Sequence, residues 1–444
     1  MSLPPGPRMS PVRQLWRWAD DPLGLLDEAA RDFGDVFRLD LWKLAPRTIV
    51  FSHPRAIEEI FTASVDDLYA GEPSALFETF VGKRSLFVLD GAPHATHRRF
   101  VMPAFHGSRI RLYADFMLDA IDRVVDGWVV GRRLSLHDAT KKIVLEVIVR
   151  SLFGTRAALS LAGLEAQART LIESAAKPHF LIPALRVDLG PWSPWGRIVR
   201  FMRDLDGFVL GEIARARAEA DPSRTDLLAM LVAARDEGGQ LSQDELRDEI
   251  VTLLIGGADT TASTLAWLFA DLLRHPEVMR ELTAEVDRVT GGRPLASEHV
   301  PALDRLDAAL KESQRLHPVV PNAIRLLKRP MRIGGWDLPE GVEVLPSMYL
   351  TQRRADLYPE PTRFVADRFL HKKASPYELF PFGGGPRLCV GRAFALHEIK
   401  TVVARMLQRV TLRDGAPGEP LRATRRGITV APADGVPAVV EALR

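Results

Sequence analysis

Cysteine is almost absent: Cys389 is the only one in 444 residues. That excludes an intramolecular disulfide and any zinc or iron–sulfur site built on several thiolates. It suits a reducing compartment, or a chain large enough to need no staples. An excess of either charge is also lacking. Basic residues number 59 against 57 acidic ones, a net charge of +2, so no global field argues for nucleic acid. There is no internal repeat and no low-complexity tract. The opening stretch MSLPPGPRMSPVRQLWRWADD has no apolar run behind a basic start. It gives no sign of a signal peptide or membrane anchor, and the expected address is the cytoplasm.

What is present is an ordinary globular balance, 46% hydrophobic and 26% charged. A chain of this size buries a large core and can enclose a cofactor or a sizeable ligand. Strand-like patterns fall at about 35–75, at 323–350 and at the C-terminal end. From about 95 to 320, and again from 391 to 409, apolar residues recur at three- and four-residue spacing, as in ADFMLDAIDRVVDGWV and KKIVLEVIVRSLFG. Pro/Gly-rich breaks lie at 178–196 and 290–301. The expected fold is mainly α with a minor β portion, one interwoven domain over 1–444.

Ser242 followed by Glu245 is a capping box, and Pro276 marks a stop. About thirty residues between them make a helix roughly 45 Å long, apolar on nearly all sides and therefore buried. Asp259 in its middle and charges at both ends argue against a membrane span. That middle, Gly256-Gly257-Ala258-Asp259-Thr260-Thr261, is a poor helix former, each glycine costing about 1 kcal/mol against alanine. Two readings stand. Small residues permit a close helix crossing with Asp259 satisfied elsewhere, or they open a groove in which Asp259 and Thr260 handle protons. Further on, Glu312 and Arg315 are three apart on one face of an amphipathic helix ending before Pro318. By spacing alone they form a surface pair of little worth.

The lone cysteine lies in PFGGGPRLCVGRAFALHEIK, residues 381–400. A dinucleotide fingerprint fails because Leu388 stands where a third glycine is needed, and no Gly-Lys-Ser/Thr follows for a phosphate loop. A nucleophilic cysteine would want a histidine base, and His397 two turns along gives no pairing signal. A buried inert thiol remains open. The setting favours a thiolate ligand to haem iron: glycines for a sharp turn beneath a planar group, Phe382 nearby, a bare Gly391, and the N-terminus of a following helix.

F-G-G-G-P-R-L-C-V-G (382–391) resembles the haem-binding loop of the cytochromes P450, F-x-x-G-x-R-x-C-x-G, at every fixed position. The resemblance extends over essentially the whole chain, because the family's other marks follow in order. GGADTT (256–261) is similar to its oxygen-binding groove, Glu312 and Arg315 to its E-x-x-R pair, and FVADRF (364–369) to its P-E-R-F segment, with Arg368 kept. HATHR (94–98) is similar to the helix whose His and Arg hold a haem propionate. One departure is Gln352-Arg353-Arg354-Ala355, where the family has H-R-D-P.

The resemblance implies the cytochrome P450 fold and haem b between the long helix and the cysteine loop. It implies Cys389 as proximal ligand, with His94, Arg98, Arg325, Phe382, Arg387 and Gly391 around the cofactor. Asp259 and Thr260 would deliver protons, and Glu312, Arg315 and Arg368 would form a buried network. The implied activity is monooxygenation with O2 by a monomer, with electrons from a separate ferredoxin or flavodoxin and its reductase. A peroxide-driven hydroxylase is the alternative, and a non-catalytic haem-thiolate sensor a remote one. Arg98, Arg99, Arg109, Arg111 and Arg392 would flank the cysteine side, as a docking face for an acidic partner or merely as a solvated basic face. The substrate pocket is expected to include Phe77, Phe80, Phe87, Phe180, Leu254, Ala258, Asn322 and Ile428. These are mostly apolar and suit a lipophilic fatty acid, terpenoid or steroid. The aromatic residues among them serve equally well as core.

Overall fold

The computed structural model describes residues 3–42, 45, 47–105, 107–110, 113–154, 186–219, 224–235 and 239–444. Helices fill the middle of the chain and strands gather toward its two ends, the arrangement that the spacing of apolar residues predicts. A short strand, Arg133–Ser135, interrupts the helical part; its pairing with Pro437–Leu443 on the far side of the sequence gives it a place in a three-stranded sheet.

The largest sheet has five strands in the order Val36–Leu39, Thr48–Phe51, Glu343–Pro346, Arg325–Leu327, Leu68–Tyr69. Its parallel pair joins Thr48–Phe51 to Glu343–Pro346, so the two ends of the sequence share one sheet. Phe51, Ile57, Leu327 and Val344 fill its core with no exposed surface. A hairpin near the C-terminus, Ala423–Arg426 with Thr429–Pro432, packs against the long central helix.

That helix runs Gln243–Arg274. Ser242 Oγ accepts from the Glu245 N–H at 3.3 Å while a Glu245 carboxylate oxygen accepts from the Ser242 N–H at 2.8 Å, closing the capping box. The helix stops at His275, ahead of Pro276. Among the described residues it is the one helix long and apolar enough to cross a membrane. It is instead the central member of the main core, with Ile250, Ala262, Leu265 and Leu268 fully enclosed. Its helical pattern is unbroken through Gly256-Gly257. A Cβ on Gly257 would sit 3.1 Å from Ile148 Cδ1 of the helix Leu136–Phe153, whereas one on Gly256 would meet nothing within 4 Å. The two readings of this segment thus divide between its glycines: Gly257 permits the close crossing, and Gly256 faces open space.

Candidate active site

The loop ahead of Cys389 is built on backbone geometry before any side chain matters. Gly383 and Gly385 have φ of +71° and +62°, which disfavours any side chain. The Gly383 N–H donates to the Phe380 carbonyl at 2.8 Å and the Cys389 N–H to the Phe382 carbonyl at 3.1 Å, so the loop folds back on itself around the cysteine. The glycines do not all serve the same purpose. Gly383 lines the central cavity. Gly384 and Gly385 instead admit Phe61 of the helix Pro54–Thr62, since a Cβ would come to 2.3 Å from its ring and 2.2 Å from its carbonyl oxygen respectively. Gly385→Ala is therefore expected to cost about 1–3 kcal/mol in backbone strain before the clash is counted. Thermal denaturation should show a clear loss for Gly385→Ala and little change for Gly256→Ala; equal melting temperatures would refute this assignment.

Cys389 is surface-accessible, but the surface it shows belongs to an internal cavity of ≈ 1210 Å³ rather than to bulk solvent. Burial pushes its thiol pKa up; the N–H groups of Gly391 and Arg392 and the charge of Arg98 act the other way. The helix Arg392–Arg409 begins at this point with Gly391 as its cap, so its free N–H groups lie beside the sulfur. A Cβ on Gly391 would touch only that sulfur, at 4.0 Å, which leaves the space beside the cysteine open.

Four cationic or basic groups line the same cavity: His94 and Arg98 from the helix Gly91–Val101, Arg325 from the central sheet, and Arg387 from the loop. Burial and the charges of Arg387, Arg98 and Arg325 pull the His94 pKa down to about 4. Burial, reinforced by Arg387, draws Arg325 down to about 10. Among the described residues, the acid acting on His94, Arg325 and Arg387 is Asp90, which pairs with Arg387 and also accepts the N–H groups of Ala70, Gly71 and Glu72 at 2.8–2.9 Å. Arg387 further donates to the carbonyls of Leu86 and Leu89. With one carboxylate, which acts on Arg325 and Arg387 but not on Arg98, the cluster is short of negative charge. A thiol opening into the cavity, a bare Gly391 and this unbalanced cluster fit haem, with the sulfur available to iron and the cations to its two propionates.

On the long helix, Leu253, Gly256, Gly257, Thr260 and Thr264 share the face that lines the cavity. Leu254 and Ala258 do not line it: they lie about 100° round the helix and pack in the main core. Phe80 also belongs to the core, edge-on to Trp195 with centroids 6.1 Å apart. Phe77, Phe87, Asn322, Phe382 and Ile428 do line the cavity. Phe180 and Arg111 lie outside the described residues. The Thr260 hydroxyl donates to the Gly256 carbonyl at 2.7 Å. Asp259 points elsewhere, for its Oδ2 lies 2.6 Å from the Thr429 hydroxyl on the C-terminal hairpin, and its Oδ1 is buried without a partner. Of the basic residues expected on an outer face, Arg99 and Arg392 are exposed, while Arg98 turns inward to the cavity wall.

Behind the loop, Glu312 and Arg315 are completely buried. Arg315 donates to both Glu312 oxygens at 2.7 and 2.9 Å and to the carbonyls of Gln352, Pro361 and Arg363. Arg368 Nε reaches the same carboxylate at 3.0 and 3.1 Å, and the Val365 N–H adds a third donor at 3.0 Å. This is a buried network and not the surface pair that spacing alone allows.

Other supports gave no sequence signal. Fully buried Gln352 donates to the Gln314 and Arg315 carbonyls and accepts from the Phe380 N–H, linking that helix to the start of the cysteine loop. His97 Nδ1 lies 2.7 Å from Glu249, fixing the helix Gly91–Val101 to the long one. Glu398 lines the cavity with Oε1 unpartnered, and burial alone raises its carboxyl pKa well above the usual range.

The family model for cytochrome P450 matches residues 4–434. Cytochrome P450 135B1 of Mycobacterium tuberculosis is 33% identical over 427 residues, covering 93% of this chain and 86% of the relative. Cytochrome P450 138 of the same organism is 32% identical over 441 residues, covering 98% and 95%. Among solved structures, retinoic acid-bound cyanobacterial CYP120A1 superposes with a TM-score of 0.89 at 24% identity, covering all of both chains. The haem domain of cytochrome P450DA gives 0.87 at 25%, covering 100% of this chain and 98% of that one. With sequence relatives and fold in agreement along nearly its full length, the chain belongs to the cytochrome P450 family, the haem-b, thiolate-ligated monooxygenases.

Proposed function

We propose that this protein inserts one oxygen atom from O2 into a small lipophilic molecule of fatty-acid, terpenoid or steroid type, drawing electrons from a separate ferredoxin or flavodoxin and its reductase. The observation that carries the reading is the accessible sulfur of Cys389 in a ≈ 1210 Å³ cavity whose wall also carries Gly256 and Thr260. Apolar side chains dominate the rest of that wall, Phe77, Phe87, Val319 and Leu345 among them, which favours a lipophilic occupant. Haem supplies the oxygen chemistry that no side chain here can perform.

The chain's own part is to hold, orient and move protons. Cys389 serves as the thiolate ligand, with the Gly391 and Arg392 N–H groups and Arg98 favouring its charged form. His94, Arg98, Arg325 and Arg387 hold the propionates. Thr260 spends its hydroxyl proton on the Gly256 carbonyl, so its oxygen lone pairs are free to accept from water in the cavity. Asp259 takes part by turning its carboxylate from Thr429 toward that water, a rotation about its own side chain. The electron donor meets the exposed Arg99 and Arg392, and the reading takes the protein as a cytoplasmic monomer.

Thr260→Ala is expected to leave electron consumption running while product per electron pair falls several-fold and hydrogen peroxide is released instead. Unchanged coupling would remove Thr260 from proton handling. Turnover with peroxide alone, and none with a ferredoxin and its reductase, would replace the O2-dependent reading by the peroxide-driven one.

A further inference from the structure

The cavity wall holds a further, half-buried cation that the propionate cluster does not use. His94, Arg98, Arg325 and Arg387 respond to one another's charge, but none of them acts on Arg425. Arg425 sits on the strand Ala423–Arg426, beside a turn whose Gly427 and Ile428 also line the cavity. Its Nε donates to the Gly427 carbonyl at 2.8 Å and its Nη1 to the Trp18 carbonyl at 3.2 Å. Both partners are neutral. No carboxylate among the described residues forms an ion pair with it, and no acid is among the causes acting on its pKa. Its Nη2 makes no hydrogen bond, yet it is not one of the sealed unpartnered atoms.

Burial alone draws this guanidinium down to about 10, so it stays cationic at neutral pH. A half-buried cation without an anion is costly, and the cavity-wall acid Glu343 does not serve. Glu343 on the cavity wall bonds to the Thr48 hydroxyl at 3.1 Å, and burial pushes its carboxyl up to about 7. Two carbonyls anchor the guanidinium by Nε and one Nη1 proton, which fixes its plane and leaves Nη2 and the other Nη1 proton as donors. That residual fork matches one carboxylate. A phosphate dianion would call for a second cation, and a neutral alcohol would leave the charge unpaired.

Resting on the reading that the cavity takes a lipophilic molecule, we propose that this molecule is a carboxylic acid, its carboxylate held by Arg425 and its apolar body extending along the cavity toward Cys389. Arg425 is then a specificity-determining residue. It fixes one end of the substrate, and the length of the apolar body decides which carbon is presented for oxidation. The tertiary structure supplies the pocket from three distant segments: the carbonyl of Trp18, the hairpin turn and the apolar wall.

The test is equilibrium binding to the haem-loaded protein, read by the substrate-induced spin shift and independently by calorimetry. The probes are hexadecanoic acid, a diterpenoid resin acid and 5β-cholanic acid, each paired with its methyl ester. At least one acid should bind the wild-type protein about ten- to a hundredfold more tightly than its ester, the size of a charge-assisted hydrogen bond. Arg425→Gln should bring that acid down to the level of its ester and leave the ester unchanged, while Arg425→Lys should restore part of the preference. Equal binding of acid and ester by the wild type, or an equal loss of both in Arg425→Gln, would overturn the carboxylate anchor and leave the lipophilic reading standing. No binding by any acid or ester would overturn both. The spectrum of the reduced, carbon monoxide-bound variant controls for folding. If Arg425→Gln does not fold, the wild-type acid-to-ester ratio decides the question by itself.

Discussion

Cys389→Ser is expected to abolish the strongly red-shifted Soret band of the reduced, carbon monoxide-bound protein and to reduce substrate oxidation by several orders of magnitude. The substitution exchanges sulfur for oxygen at nearly constant shape and leaves the loop untouched, because that loop is held by the backbone bond from the Cys389 N–H to the Phe382 carbonyl and by its glycines. The charge environment also persists: Arg98 and the N–H groups of Gly391 and Arg392 still face the position. What is lost is the thiolate, whose electron donation to the metal a hydroxyl cannot match at neutral pH. Circular dichroism should therefore stay as in the wild type while the spectrum and turnover change together. A variant that kept the red-shifted band would remove Cys389 from the metal and return it to the status of an inert thiol.

Glu312→Gln should produce the largest loss of stability. The carboxylate is fully buried and balances two guanidiniums, those of Arg315 and Arg368. Removing its charge leaves both cations buried and uncompensated, at a cost of about 3–5 kcal/mol on the scale of a broken buried pair. The damage should spread to the site, because Arg315 also holds the carbonyls of Gln352, Pro361 and Arg363, and Gln352 in turn accepts the Phe380 N–H just ahead of the cysteine loop. The expected result is a sharply lower melting temperature and less haem bound per polypeptide. Arg315→Lys should fall between this variant and the wild type, since it keeps the charge but loses the fork. Normal haem content and thermal stability in Glu312→Gln would show that the network is dispensable.

The sequence made local arrangements legible. The capping box at Ser242, the stop at Pro276 and the helix after Gly391 rest on contacts a few residues apart, and they are where the pattern puts them. The cysteine loop was legible because its meaning lies in a fixed spacing of residues. Spacing also brought Glu312 and Arg315 onto one face, but it could not say whether that face was wet or dry.

Tertiary packing decided everything that depended on distant partners. Gly384 and Gly385 are required by Phe61, more than three hundred residues earlier in the chain, and not by the cavity. Asp259 and Thr260 are neighbours in sequence, but successive residues on a helix differ by about 100° in direction. Thr260 therefore lies on the cavity wall, while Asp259 meets Thr429 on a hairpin from the other end of the chain. The same rotation places Leu254 and Ala258 in the core. Arg425 gave no signal in a run of basic residues, where a solvated arginine is the ordinary case; only the hairpin's position against Trp18 turns it into a half-buried cation at the cavity wall. The sequence by itself determined which cofactor loop the chain carries and which helices frame it. The environment of each charged group was decided by the fold, because burial and partnership arise from segments brought together across hundreds of residues, and no local period records them.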